Sequence, residues 1–217
     1  MCGIVSYIGH LDPTPILLKG LKRLEYRGYD SAGIALLDKN NLYHIKRAGK
    51  VSDLLKGVNS SIAKGNLGIA HTRWATHGVP NDINAHPHLD QTGKIAIVHN
   101  GIIENYQAIK KTLIGRGVSF TSDTDSEVIV QLISELYYNN DKKLNFEDAV
   151  KAALQEVVGA YGIVVLCADE PETMIAARMG SPLVLGVGEG EFLIASDASP
   201  IIEYTRNVIY LDDDEFV

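Results

Sequence analysis

Cysteine is scarce in this chain: 217 residues contain two, Cys2 and Cys167. Two thiols are too few for a disulfide framework, and a reducing, cytoplasmic setting is expected. Positive charge is also in short supply, with 20 Lys and Arg against 27 Asp and Glu. The resulting net charge of −7 argues against a nucleic-acid partner and against an anionic membrane surface. No apolar run approaches the ~20 residues of a membrane span. The first twenty residues lack a basic leader and are broken by Asp12-Pro13, so no secretory signal is expected. No internal repeat, low-complexity tract or linker interrupts the chain. The composition that remains, 46% hydrophobic and 22% charged, is that of a globular protein able to bury a real core.

Periodicity places the elements. Residues 2–8 read as a short apolar strand. Thr14-Pro15 looks like a helix start, and Leu17, Leu18, Leu21 and Leu24 continue it at helical spacing to about residue 25. Strands are expected over 31–37 and 42–48, around the turn Asp38 to Asn41. A weaker helix follows over 51–64. Residues 67–75 and 94–99 are β-prone and flank a long polar stretch from Thr76 to Gly93. A loop of that length in a compact domain usually carries function or is disordered. Asn100-Gly101 reads as the turn that ends the second run. Thr124 and Glu127 have the spacing of a capping box, with Val128, Ile129, Leu132, Ile133 and Leu136 on one helical face behind it. A second helix is expected over 146–159. Five β-prone runs then follow at short intervals (162–168, 173–178, 182–187, 191–196 and 207–211), a pattern that suits antiparallel meander pairing. Strands at both ends with helices mostly in pairs indicate antiparallel sheets covered by helices, an α+β arrangement rather than β-α-β alternation. The acidic turn and apolar residues at 211–217 look like the start of another strand, as in a domain cut from a longer chain.

Cys2 is the residue with most chemical potential. A side chain this small at position two permits removal of Met1, which would leave a thiol and a free α-amine on one residue. That amine titrates near pH ~8, against ~10.4 for lysine, and a base poised near neutrality can activate its own nucleophile. The plain alternative is a small apolar residue opening a buried strand. Other residues supply possible partners. Arg73, in the segment His71 to Gly78, offers a planar fork for a carboxylate. Trp74, the only tryptophan, could shield a pocket, and Thr76 and His77 add polar contacts. Asn100-Gly101 is either a turn or an oxyanion hole built from an amide and a backbone N–H. The acids of Asp123-Thr124-Asp125 either cap a helix, or one of them holds an ammonium group. Arg73 and one such Asp together match the two charges of an α-amino acid. His71, His77, His86, His88 and His99 lack standard metal spacings, and no metal or cofactor is expected. Cys167 reads as an inert core thiol.

These residues occur in an order that resembles a known family. Met1-Cys2-Gly3-Ile4-Val5, the run Leu24 to Gly33, the segment His71 to Gly78, His99-Asn100-Gly101 and Thr124 to Glu127 are together similar to the glutaminase domain of class II, N-terminal-nucleophile glutamine amidotransferases. The resemblance spans residues 1–217 as one glutaminase domain. It implies a four-layer αββα sandwich of two antiparallel sheets between helix pairs, and hydrolysis of L-glutamine to glutamate and ammonia. It further implies that Cys2 is the nucleophile, Asn100 and Gly101 the oxyanion hole, Arg73 the binder of the substrate carboxylate and Asp125 the holder of its ammonium. Thr76 and His77 match substrate-loop contacts, Trp74 a residue tied to ammonia passage, and Arg27 a positive residue beside the nucleophile. The segments Glu25 to Gly33 and Thr72 to Gly78 are most similar to members that pass ammonia to a sugar phosphate. In those members two sugar-isomerase domains follow, and the full enzyme is expected to be a homo-oligomer. Two other readings stay open: a different N-terminal-nucleophile amide hydrolase, and a non-catalytic glutamine-binding regulatory module.

Overall fold

The computed structural model describes residues 2–28, 30–58, 65–74, 78–139 and 144–217. Seven strands form one sheet: β1 (Gly3–Ile8), β2 (Ser31–Asp38), β3 (Asn41–Ala48), β4 (Leu67–Arg73), β9 (Val184–Val187), β10 (Phe192–Ala195) and β11 (Val208–Tyr210), in the order β11-β9-β10-β1-β4-β2-β3. Four others, β5 (His88–Leu89), β6 (Ile95–Ile103), β7 (Gly159–Cys167) and β8 (Met174–Met179), form a second sheet in chain order. Among the described residues every strand-to-strand pairing is antiparallel, and a single parallel bridge joins Tyr161 to Gly180. Helices α1 (Pro13–Leu24) and α2 (Val51–Gly57) cover the first sheet, and α3 (Tyr106–Gly115), α4 (Asp125–Tyr138) and α5 (Phe146–Gln155) the second. The architecture is the expected four-layer αββα sandwich, with a third helix added to the layer on the second sheet. No helix among the described residues is long and apolar enough to cross a membrane.

Strand alternation sorts the side chains into three cores. Ile4, Leu67, Ile69, Ala96, Val98, Val164 and Leu166 meet between the sheets. Their chain neighbours point outward: Val5 and Ala70 meet Leu17 and Leu21 of α1, while Ile95 and Ile97 meet Ile129 and Ile133 of α4. Each fully buried aliphatic side chain contributes about 1.5–3 kcal/mol, so the three cores fix the strand register. The same period of two carries into the polar ends of the strands. Cys2 shares a face with Ile4, His71 and Arg73 share one with Leu67 and Ile69, and Asn100 shares one with Ala96 and Val98. All four lie on the faces that look into the gap between the sheets.

Several local expectations are corrected. The cap of α1 is Asp12, whose carboxylate accepts the Thr14 N–H at 2.9 Å, and Pro13 opens the helix. A 3₁₀ turn over Glu25–Arg27 ends it. Helix α2 closes at Val58, and residues 59–64, the remainder of the expected helix, lie outside the described residues. Helix α5 stops at Gln155 because Gly159 already begins β7. The last five strands divide between the sheets, β7 and β8 to one and β9 to β11 to the other. Helix α3 was not anticipated, although Tyr106, Ile109 and Leu113 carry its apolar stripe onto the core. Thr124 does cap α4 by accepting the Glu127 N–H at 3.3 Å. The Glu127 carboxylate makes no reciprocal bond to it. It is instead taken by the backbone N–H groups of Thr121 and Ser122 at 2.8 and 2.6 Å. A buried carboxylate needs such donors, and they pin the segment leading into Asp123–Asp125.

Candidate active site

Asn100-Gly101 is not a turn. Both residues lie within β6, paired with Gly162 and Tyr161 of β7. Gly101 has φ +137°, and a Cβ there would lie 1.9 Å from the carbonyl oxygen of Ala160. Only glycine fits that backbone and that approach, which is why an apparent turn signal sits inside a strand. The irregularity falls where β6 leaves the inter-sheet gap, beside the start of the chain.

A cavity of about 550 Å³ opens at this point. Its walls include Cys2, Arg27, Arg73, Trp74, Asn100, Gly101 and Asp125. Seven of the nine expected site residues are thereby gathered around one space, from five separate stretches of chain. The other two, Thr76 and His77, fall outside the described residues. His86, His99, Ser126, Ser181 and Ser196 also line the cavity. Sequence reasoning gave none of these five a place in the site. Only His99 carried a signal, its adjacency to Asn100.

The Cys2 sulfur accepts the backbone N–H of Trp74 at 3.1 Å. Trp74 therefore meets Cys2 through its backbone, and the residue as a whole is 55% exposed. Burial pushes the Cys2 thiol above its usual range, against the lowering effect of the Trp74 N–H. A thiol held neutral near pH 7 needs a base to become a nucleophile. While Met1 is attached, the Cys2 nitrogen is an amide and cannot be that base.

The charged groups are held by their own elements. Arg27, at the end of the 3₁₀ turn, donates to the Ser196 carbonyl at 2.9 Å and lies 3.8 Å from the Asp197 carboxylate. Arg73, buried at the end of β4, donates to the Gly78 carbonyl at 3.3 Å. Asp125, the first residue of α4, accepts the Ile103 N–H at 2.9 Å. A carboxylate is favoured at this positive end of the helix dipole.

Four histidines form the cavity's inner support. The rings of His71 and His86 stack at 4.1 Å, and His88 meets His86 edge-on at 4.6 Å. His99 Nδ1 lies 2.8 Å from the Ser126 hydroxyl and His88 Nε2 lies 3.0 Å from that of Thr124. Burial holds all four below the usual histidine range, His71 down to about 3 and His86 and His88 well below 6.5. They are neutral at physiological pH. Among the described residues no group of three or more His, Cys, Asp or Glu is arranged to hold a metal ion.

The four-layer sandwich thus gathers a thiol, an amide side chain, an Arg and an Asp around one cavity. The family described as "Glutamine amidotransferase domain" matches residues 71–203, and the chain belongs to it. The chain is 56% identical over 218 residues to the glutamine–fructose-6-phosphate aminotransferase (isomerizing) of Chlorobaculum tepidum, covering 99% of this chain and 35% of that relative. It is 53% identical to the protein of the same name from Pyrococcus horikoshii, covering 100% of this chain and 36% of the relative. The chain thus spans about a third of the length of the curated relatives it matches. Among solved structures, glutamine phosphoribosylpyrophosphate amidotransferase from B. subtilis superposes with a TM-score of 0.81 at 26% identity, over 100% of this chain and 48% of that one. The fold is that of the N-terminal-nucleophile amidotransferases.

Proposed function

We propose that this chain, once Met1 is removed, hydrolyses L-glutamine to glutamate and ammonia through a thioester on Cys2. Arg73 binds the α-carboxylate and Asp125 the α-ammonium, which directs the side-chain amide of the substrate to the Cys2 sulfur. The Cys2 α-amine takes the thiol proton, and the sulfur attacks the amide carbon. Asn100 Nδ2–H and Gly101 N–H hold the oxygen as it becomes negative, a contribution of about 10²–10³ in rate for one such donor. The tetrahedral centre collapses as the C–N bond breaks, and the ammonium proton goes to the departing nitrogen, releasing ammonia. Water, deprotonated by the same amine, then cleaves the thioester to glutamate and free thiol. Arg27 sits beside the nucleophile as a positive support. Trp74 borders the route by which ammonia leaves, and Thr76 and His77 complete the substrate loop.

The observation that carries this reading is the meeting of Asn100 and Cys2: the Asn100 Nδ2 donates to the Cys2 carbonyl at 3.2 Å. An amide donor at that distance from the nucleophile's own backbone is where an oxyanion hole is needed.

By likeness to the curated relatives, residues 1–217 are the glutaminase domain of a longer chain. Its following sugar-isomerase domains would receive the ammonia, combine it with fructose 6-phosphate and form glucosamine 6-phosphate. The whole enzyme is proposed to act in the cytoplasm as a homo-oligomer. The pairing of Arg73 with Asp125 favours a free amino acid over the peptide or acyl amides of other N-terminal-nucleophile hydrolases. N-terminal mass determination combined with a glutamate-release assay tests the proposal. Protein lacking Met1 is expected to release glutamate, and Cys2→Ala to abolish release; an active Ala variant would remove Cys2 as nucleophile.

A further inference from the structure

An oxyanion hole that uses an asparagine has a weakness, because the amide can turn end for end at almost no steric cost and present its oxygen instead. Asn100 is prevented from doing so by two contacts. Its Nδ2 faces the Cys2 carbonyl oxygen at 3.2 Å. Its Oδ1 faces Nε2 of His71 at 3.0 Å, and the same nitrogen lies 3.1 Å from the carbonyl oxygen of His99. The His99 carbonyl oxygen can only accept, so the nitrogen facing it carries the ring's proton, and that N–H in turn selects the Asn100 oxygen over its NH₂. Turning the amide would set Oδ1 against the Cys2 carbonyl and force His71 to move its proton to Nδ1. Its bare Nε2 would then accept from the turned Nδ2 but face the His99 carbonyl, so the turned state has two repulsive contacts and one attractive one in place of three attractive ones.

His71 can make this contact because of the sheet stacking. It stands on β4 in one sheet and Asn100 on β6 in the other, and both project into the gap between them. The ring is completely buried, packed on His86. Water therefore does not compete for Nε2–H.

We propose that His71 is a positioning residue for the oxyanion hole: as the neutral Nε2–H tautomer it locks the Asn100 amide with Nδ2 toward Cys2, leaving the second Nδ2 hydrogen for the substrate oxygen. This rests on the glutaminase reading above. Its role differs from those of Arg73 and Asp125, because it acts on the transition state and not on the substrate's charged head group.

The test compares His71→Leu with His71→Gln, whose side-chain NH₂ reaches the place of Nε2. His71→Leu is expected to lower kcat by between about 10- and 100-fold, less than outright loss of a donor, with the glutamine KM nearly unchanged. His71→Gln is expected to recover most of that loss. Glutamate γ-semialdehyde, which adds the Cys2 thiol to form an oxyanion-bearing hemithioacetal, should bind the Leu variant more weakly by the same factor, and glutamate should not. Unchanged kcat in His71→Leu, or equal losses in both variants, overturns the proposal. Nitrogen NMR of the unsubstituted protein gives a readout that does not depend on either variant folding: the His71 ring should be in the Nε2–H form, and an Nδ1–H form overturns the inference. If protein lacking Met1 releases no glutamate at all, the glutaminase reading falls and takes the positioning role with it. Normal turnover with an indifferent His71 sinks only the latter.

Discussion

Asp125 accepts the backbone N–H of Ile103 at 2.9 Å, which ties the first residue of α4 to the last residue of β6, two positions beyond Gly101. One carboxylate thus holds the end of the strand that carries Asn100 and Gly101 while also lining the cavity. Its two tasks can be separated. Asp125→Asn keeps an oxygen for Ile103 but loses the charge. We expect the glutamine KM to rise by about 10- to 100-fold, the worth of one charge-assisted hydrogen bond, with little change in melting temperature. Asp125→Ala should lower both affinity and melting temperature. Equal KM values for Asn and the native residue would remove Asp125 from ammonium binding.

Arg73 offers a fork, and a lysine offers only a point charge. Arg73→Lys should raise the glutamine KM by about tenfold or more through loss of the bidentate geometry, while kcat changes much less. Steady-state kinetics on glutamate release decide it. A loss confined to kcat would place Arg73 at the reacting atoms instead of the carboxylate.

Gly101 tests the backbone. A Cβ at this position meets the Ala160 carbonyl at 1.9 Å on a residue with φ +137°. Gly101→Ala should cost about 3 kcal/mol or more from strain and overpacking, read by denaturant unfolding, and should abolish turnover even where folded protein is recovered. A variant with native stability and activity would show that this backbone conformation is dispensable.

The buried histidines predict acid sensitivity. His71, His86, His88 and His99 are all held neutral by burial, with His71 pushed down to about 3. Below the ordinary histidine value of about 6.5 the unfolded chain takes up protons that the folded one refuses. Their contribution is therefore complete above pH ~6.5 and is lost as the pH falls from there toward the folded values. One such group costs about 1.4 kcal/mol of stability per pH unit in that window. Denaturant midpoints at pH 7, 6 and 5 should fall progressively; a midpoint constant from 7 to 5 would contradict the neutral cluster.

Much of the site was legible because its chemistry needs particular residue types. A thiol behind Met1, an Arg and an Asp suited to one amino acid, and an Asn-Gly pair can be recognised before any fold is known. Helix α1 was legible for a different reason, since its leucines repeat at the period of the element. Its true cap was less so, because Asp12 and Thr14 are both good capping residues and only the path of the chain chooses between them. Helix α3 was overlooked although its stripe was present, because two lysines and a short length diluted the pattern.

The sequence by itself determined the inventory of reactive groups and the alternation that sends Cys2, His71, Arg73 and Asn100 to inward faces. Local physics suffices there, since strand period and side-chain chemistry are properties of neighbouring residues. Only the tertiary structure decided that Asn100-Gly101 lies in a strand, because a glycine with positive φ serves a turn or a strand irregularity equally well. The close approach of the Ala160 carbonyl on β7 makes the choice. It likewise decided what His71 touches. Nothing near it in the chain indicates a partner 29 residues away in the opposite sheet, and the contact exists only because two sheets stack with those strand ends facing one another.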